Sequence, residues 1–403
     1  MDSPLAWRRL AAAVAIGTIG GVGLWSIVVS LPSVQAEFGV ARGAATLPYS
    51  AAMCGLVLGG VLMGWLADRF GVVVPVVIGT LALAVGYVGV ALAPSLWVFA
   101  LIYGGVIGLL GSSAVFVPLV ADTSHWFDRR RGIAVALCAS GNYLAGAAWP
   151  PVLQHFIDTV GWRQTHICIG LFCLVTMLPL ALLLRRPTPM AAEPARAVDA
   201  PKSAPLGMPP NALQALLILA GIACCVAMAM PQVHIVAYCV DLGYGAGRGA
   251  EMLSLMLTMG IVSRLASGWI MDRIGGVATL LLGSVLQGLA LALFLPFDGL
   301  VSLYLLSALF GLFQGGIVPS YAIIVRRFFP PMEAGTRVGL VLSATLAGMA
   351  LGGWMSGAIF DATGSYQAAI LNGLGWNALN VSIAAWLLWR SRGAGRVAAP
   401  LAA

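Results

Sequence analysis

A single arginine stands where hydrocarbon is expected. In GIVSRLASGWIMDRIGG, residues 260–276, Arg264 interrupts an apolar helical run. It lies eight residues before Asp272, at the end of that run, which on a helix is about 12 Å. Half the hydrocarbon thickness is about 15 Å, so Arg264 is expected near the bilayer midplane. A guanidinium there is costly and cannot escape by losing its proton. Gly260 and Gly268, at i−4 and i+4, place a small face beside it. A fork of donors with room alongside suits a carboxylate gripped at two oxygens, so the chemistry implied is anion binding rather than bond making. The competing reading, an arginine satisfied by backbone carbonyls or a cytoplasmic carboxylate, is weakened because Asp272 is too far for a direct pair.

Other polar residues fall inside apolar runs. Pro231 is expected to break helix hydrogen bonding in the seventh run and free backbone groups, three residues before His234. His234 and Tyr238 share a face at i, i+4. An imidazole titrates in the range where it can carry a proton with an anion, although a helix-packing histidine explains it equally well. Trp25, Ser113, Asn142, Tyr143, Gln314 and Tyr321 complete the candidate substrate contacts. Helix–helix hydrogen bonding accounts for any one of them as readily.

These residues must be positioned by membrane helices. The 403-residue chain is 60% hydrophobic and 9% charged, with mean hydropathy +0.97, which describes a polytopic membrane protein. Twelve runs of about 20 residues are each long enough to cross the hydrocarbon: 12–34, 44–67, 73–93, 97–121, 132–152, 163–184, 212–240, 248–270, 277–296, 299–325, 336–360 and 366–389. The first has no small-residue cleavage site and is expected to be retained. Of 21 Lys and Arg, Arg42, Arg163 and Arg248 fall on one side, Arg264 is intramembrane, and the rest fall on the other side. That bias places both termini and the central loop in the cytoplasm. The net charge of +7 therefore reflects topology before lipid-headgroup contact, and nucleic acid is not an expected partner. The seven cysteines have no Cys-x-x-Cys spacing and read as small buried residues, with adjacent Cys224 and Cys225 on different helix faces. No metal or cofactor is expected.

The chain repeats itself. GWLADRFG at 64–71 recurs as GWIMDRIG at 268–275, HFIDTVG ending at Gly161 recurs as AIFDATG ending at Gly364, and GLLG at 108 recurs as GLFQ at 311. WFDRRRG around Phe127 has a looser echo in RFFPPMEAG around Phe329. The spacing divides the chain into a six-helix bundle (1–184), a Pro- and Ala-rich cytoplasmic linker (185–210) and a second six-helix bundle (211–403). A parallel duplication of this kind is a transporter architecture with substrate held between the halves.

Twelve spans, a long central loop and the G-x-L-A-D-R-x-G pattern resemble the major facilitator superfamily. HWFDRRRGIAVALCASGNYLAG (125–146), VHIVAYCVDLGYG (233–245), SRLASGWIMDRIG (263–275) and GAIFDATGSY (357–366) resemble its monocarboxylate porter branch and the bacterial oxalate/formate relatives. The resemblance implies an all-α membrane fold and makes Arg264 the carboxylate anchor. It further implies that Asp68, Arg69, Asp272 and Arg273 latch the outward-open state, with Asp128 and Arg130 in a parallel cytoplasmic cluster. Two positions depart from the pattern. Gly260 stands where some members carry an aspartate, and span 11 has no second cation, so one cation suits a monoanion.

No P-loop, His-Glu-x-x-His or Gly-x-Ser-x-Gly element supports an enzyme or ATP driving, and duplicated latch loops argue against a static receptor. The expectation is a secondary transporter in a bacterial inner membrane. It would move a small lactate- or pyruvate-like monocarboxylate, with a proton, by alternating access and with no obligate protein partner. A larger or aromatic organic anion, export or anion exchange remain open alternatives.

Overall fold

The computed structural model describes residues 3–127, 130–185 and 208–397, and the regular structure among them is helical. In the first half, α1 (Pro4–Gly20) and α2 (Val22–Phe38) form the first crossing. A short α3 (Arg42–Ala45) leads into α4 (Leu47–Phe70), followed by α5 (Val73–Ala91). The fourth crossing joins α6 (Leu96–Ile102), a π-helical stretch (Tyr103–Ser112) and α7 (Val117–Trp126). The fifth joins α8 (Arg131–Ala139) and α9 (Gly141–Val160), and α10 (Trp162–Leu182) is the sixth. The second half contains α11 (Pro210–Asp241), α12 (Ala246–Ile274), α13 (Gly276–Leu293), α14 (Leu300–Gln314), α15 (Ile317–Phe328), α16 (Pro331–Thr363) and α17 (Tyr366–Val397). The expected linker falls largely outside the described residues.

Ten helical stretches are long and apolar enough to cross a membrane. The remaining crossings, α8–α9 and α17, are more polar: Asn142, Pro150, Pro151 and Gln154 lie in α9, and Asn372, Asn377 and Asn380 lie in α17. The chain alternates between a linker face, where α1 begins and α10 ends, and a far face, where α2, α9, α11 and α16 end. Although Pro231 lies within α11, that helix continues past it to Asp241 rather than breaking.

The internal repeat is a structural one. Gly71 and Gly275 close α4 and α12 with φ of 82° in both, and their N–H groups return to Ala67 and Met271, equivalent positions in the repeat. A side chain is strained at that φ, which explains the glycine in both Asp-Arg-x-Gly loops. Helices in each half approach backbone to backbone at corresponding places. A Cβ on Gly108 would lie 2.7 Å from the Ala52 carbonyl oxygen, and one on Gly311 would lie 2.0 Å from that of Met256.

The halves meet along two related seams, α9 on α12 and α3–α4 on α16, with α2 also packed against α11 and α12 between them. Ser50 Oγ donates to the Ala350 carbonyl at 2.8 Å, and Ser254 Oγ donates to that of Ala147. The hydrogen bonds, ion pairs and ring contacts that join the two halves between described residues lie in the middle or at the far face, and none lies at the linker face. All seven cysteines are free thiols. The Cys224 and Cys225 sulfurs are 3.5 Å apart rather than diverging, because the Cys224 thiol turns back to the Gly221 carbonyl.

Candidate functional site

Arg264 lies ten residues, about 15 Å, from the linker-face end of α12. It is half-buried, and its guanidinium carbon stands 4.3 Å from the centre of the Tyr143 ring on α9. Cation and ring therefore belong to opposite halves. Among the described residues the guanidinium has no hydrogen bond or ion pair, and its buried Nε is unpartnered. The ring faces the cation without neutralising it, which leaves the donor fork available.

Two glycines create this arrangement. A Cβ on Gly260 would lie 2.5 Å from Tyr143 Cε1, so only hydrogen there lets the ring reach Arg264. A Cβ on Gly315 would lie 2.5 Å from the Gly260 carbonyl oxygen and 3.0 Å from the Arg264 main-chain nitrogen. Contact at Gly315 brings the preceding Gln314 to the same level. Gln314 Oε1 accepts from Gln232 Nε2 at 2.9 Å, while Gln314 Nε2 has no partner. Across the seam, the Asn142 main-chain oxygen accepts from Trp25 Nε1 at 3.2 Å, and Asn142 Oδ1 is unpartnered. Trp25 and Leu257 close over Gly146 one turn nearer the far face. Arg264 and Tyr143 thus meet, with Asn142, Trp25 and Gln314 at their level and Ser263 Oγ a further buried unpartnered hydroxyl. A cation, an amide donor and an amide acceptor at one level suit a carboxylate carrying a second polar group.

Four expected contacts belong elsewhere. His234 lies on α11, seven residues from its far-face end, whereas Arg264 is 18 residues along α12 from the same face, a depth difference of about 16 Å. Both His234 ring nitrogens are engaged, Nδ1 with the Tyr366 hydroxyl at 3.1 Å and Nε2 with the Gly353 carbonyl at 2.8 Å. Tyr238 packs edge-on against Tyr366, also toward the far face. Tyr321 is fully buried in the second half, where its hydroxyl donates to Asn380 Oδ1 at 3.0 Å. Ser113 donates to its own helix at Leu109. Asp68, Arg69, Asp272, Arg273 and Arg130 are exposed, with Arg69 and Arg273 lying over Trp65 and Trp269 of their own helices. Asp128 lies outside the described residues.

Sequence reasoning treated Arg9 and Arg42 only as orientation charges. Arg9 is buried and donates from Nη2 to both oxygens of Asp122, at 3.0 and 2.8 Å, over the Trp126 ring. Arg42 joins the halves at the far face through Asp241, Asp361 and Tyr366. A cation on the side where arginine is rare was the available signal for the second of these.

A family model described as Major Facilitator Superfamily matches residues 13–305 and 252–403. Monocarboxylate transporter 13 of Bos taurus is 30% identical over 318 residues, covering 76% of this chain and 71% of the relative. Monocarboxylate transporter 11 of Mus musculus is 30% identical over 392 residues, covering 92% and 84%. The crystal structure of a mutant of the nucleoside transporter NupG superposes with a TM-score of 0.73 at 15% identity, covering 95% of this chain and 99% of that one. Matched across both halves and similar to these relatives over most of its length, the chain belongs to the Major Facilitator Superfamily, in its monocarboxylate-transporter branch.

Proposed function

We propose that the protein carries a small monocarboxylate across the membrane by alternating access of bundles 1–184 and 211–403, with the substrate carboxylate held by Arg264. The observation that carries this reading is the midspan guanidinium, unpaired among the described residues, resting on a tyrosine from the other bundle. One cation with no second charge beside it fits a monoanion. Asn142 Oδ1 and Gln314 Nε2 suit the hydroxyl or carbonyl next to the carboxylate in lactate- or pyruvate-like substrates. A proton is the proposed coupling ion, without His234 as a substrate contact.

The Lys and Arg bias supports a cytoplasmic linker face, and a bacterial inner membrane is the proposed location. In that orientation the hydrogen bonds and the ion pair that join the bundles among the described residues lie in the middle and on the outer side. The exposed Asp68-Arg69 and Asp272-Arg273 loops are then proposed to meet when the inner side closes. Uptake of radiolabelled L-lactate into proteoliposomes, with and without an inward proton gradient, tests the proposal. Gradient-stimulated uptake lost in Arg264→Ala is the expected result. Unchanged uptake in that variant, shown to be inserted, would sink the assignment.

A further inference from the structure

Arg42 opens the four-residue helix α3 in the first bundle, and its partners come from three elements of the second. Both oxygens of Asp361, in the last turn of α16, accept main-chain N–H groups, from Arg42 at 2.8 Å and Gly43 at 2.6 Å. The side chain is held separately. Asp241, at the end of α11, takes the guanidinium with both oxygens, one of them 3.1 Å from Nη2. Nη1 also donates to the Tyr366 hydroxyl at 3.1 Å, and Phe360 lies 4.2 Å beneath the guanidinium carbon. Only Nε turns to its own bundle, donating to Gln35 at 3.2 Å.

Among the described residues this is the one ion pair between bundles. Arg9–Asp122 and Arg163–Glu37 stay within the first bundle, and Arg248–Glu251 and Arg337–Glu333 stay within the second. The backbones around it touch: a Cβ on Gly357 would lie 2.9 Å from Gly43 Cα, and one on Gly43 would lie 3.0 Å from the Ala358 nitrogen. The seat also connects inward. Tyr366 donates to His234, His234 donates to the Gly353 carbonyl, and Gly353 lies against the Tyr49 ring of α4.

A buried fork held by Asp241, on a backbone held by Asp361, ties Arg42 to two carboxylates of the opposite bundle and cannot persist while the far face is open. It is a two-state contact, made in this conformation and broken in the other. We propose that Arg42, with Asp241 and Asp361, is the far-face gate, and that this contact sets the balance between the two facings of the transporter. The proposal rests on alternating access but not on the substrate or on Arg264.

The test reads far-face opening without substrate. A reporter cysteine is placed at Ala350, a buried α16 residue whose carbonyl accepts from Ser50 of the first bundle. The background lacks Cys54 and Cys168, the two exposed native cysteines. Labelling by a membrane-impermeant maleimide added at the far face is then followed in proteoliposomes. Arg42→Ala and Arg42→Asp are expected to raise the labelling rate roughly tenfold or more, because losing a close charge pair shifts a two-state equilibrium at least that far. The exchange Arg42→Asp with Asp241→Arg is expected to return labelling toward the parent rate, which a merely structural loss would not do. Asp241→Asn supplies a second variant should either Arg42 variant fail to insert. Labelling unchanged in the inserted single variants, or an exchange no better than its singles, would overturn the gate. Failed lactate uptake alongside normal gate behaviour would count against the substrate reading alone.

Discussion

The guanidinium carbon of Arg264, in the second bundle, lies 4.3 Å from the ring centre of Tyr143, in the first. The only charged side chain expected near the midplane therefore rests on the surface that the other bundle presents to it. On the proposed function, an anion bound there would touch both halves at once, which would link its occupancy to bundle movement.

Replacing Arg264 with alanine is expected to lower L-lactate uptake about 30-fold or more, since removing one partner of a desolvated charge contact costs about 2–5 kcal/mol. Lysine keeps the charge but not the fork, so Arg264→Lys should retain part of the uptake with a raised KM. The measurement is initial rate against substrate concentration at matched protein density.

Tyr143→Leu removes the ring face beneath the cation. A cation–π contact contributes about 0.5–2 kcal/mol, so KM should rise roughly 2- to 30-fold while Tyr143→Phe stays close to the parent. Equal KM in all three would separate Tyr143 from substrate recognition.

The two glycines flanking Arg264 should behave differently. A Cβ at Gly260 meets the Tyr143 ring at 2.5 Å, whereas one at Gly268 meets nothing within 4 Å. Gly260→Ala is expected to raise KM several-fold by displacing the ring, and Gly268→Ala to leave uptake near the parent value. Equal effects would show that the seam is more accommodating than its packing implies.

Gly311→Ala places a methyl 2.0 Å from the Met256 carbonyl oxygen, while Gly375→Ala meets nothing within 4 Å. Overpacking against backbone costs roughly 1–3 kcal/mol. Thermal unfolding in detergent should show a lower Tm for the first variant and no shift for the second.

Tyr321→Phe leaves Asn380 Oδ1 without the hydroxyl that donates to it at 3.0 Å. Stability should fall by about 1 kcal/mol, the usual cost of losing such a bond. Lactate KM should not change, and a changed KM would return Tyr321 to the substrate site.

The membrane class, the internal repeat and the position of Arg264 were legible because each depends on local pattern. Hydropathy over 20 residues measures whether a segment can leave water. Matching Asp-Arg-x-Gly loops report a duplicated unit, and their glycines share a φ of 82°. Counting residues from Asp272 set the depth of Arg264. Its neighbours were only partly legible. Asn142, Tyr143, Trp25 and Gln314 come to its level, but His234, Tyr238, Tyr321 and Ser113 turn to other partners. A mid-helix polar residue announces its depth and not its azimuth relative to a neighbouring helix.

The amino-acid sequence alone thus determined a twelve-crossing duplicated transporter with one cation at midspan, because length, hydropathy and helical rise act within a single segment. Only the tertiary structure decided which segments face each other. Arg42 and Asp361 are 319 positions apart and nothing in the pattern around either pairs them, yet folding brings the carboxylate onto the Arg42 backbone. Glycine contacts at Gly43 and Gly357 permit that approach, and no periodicity within either helix encodes its partner across the seam.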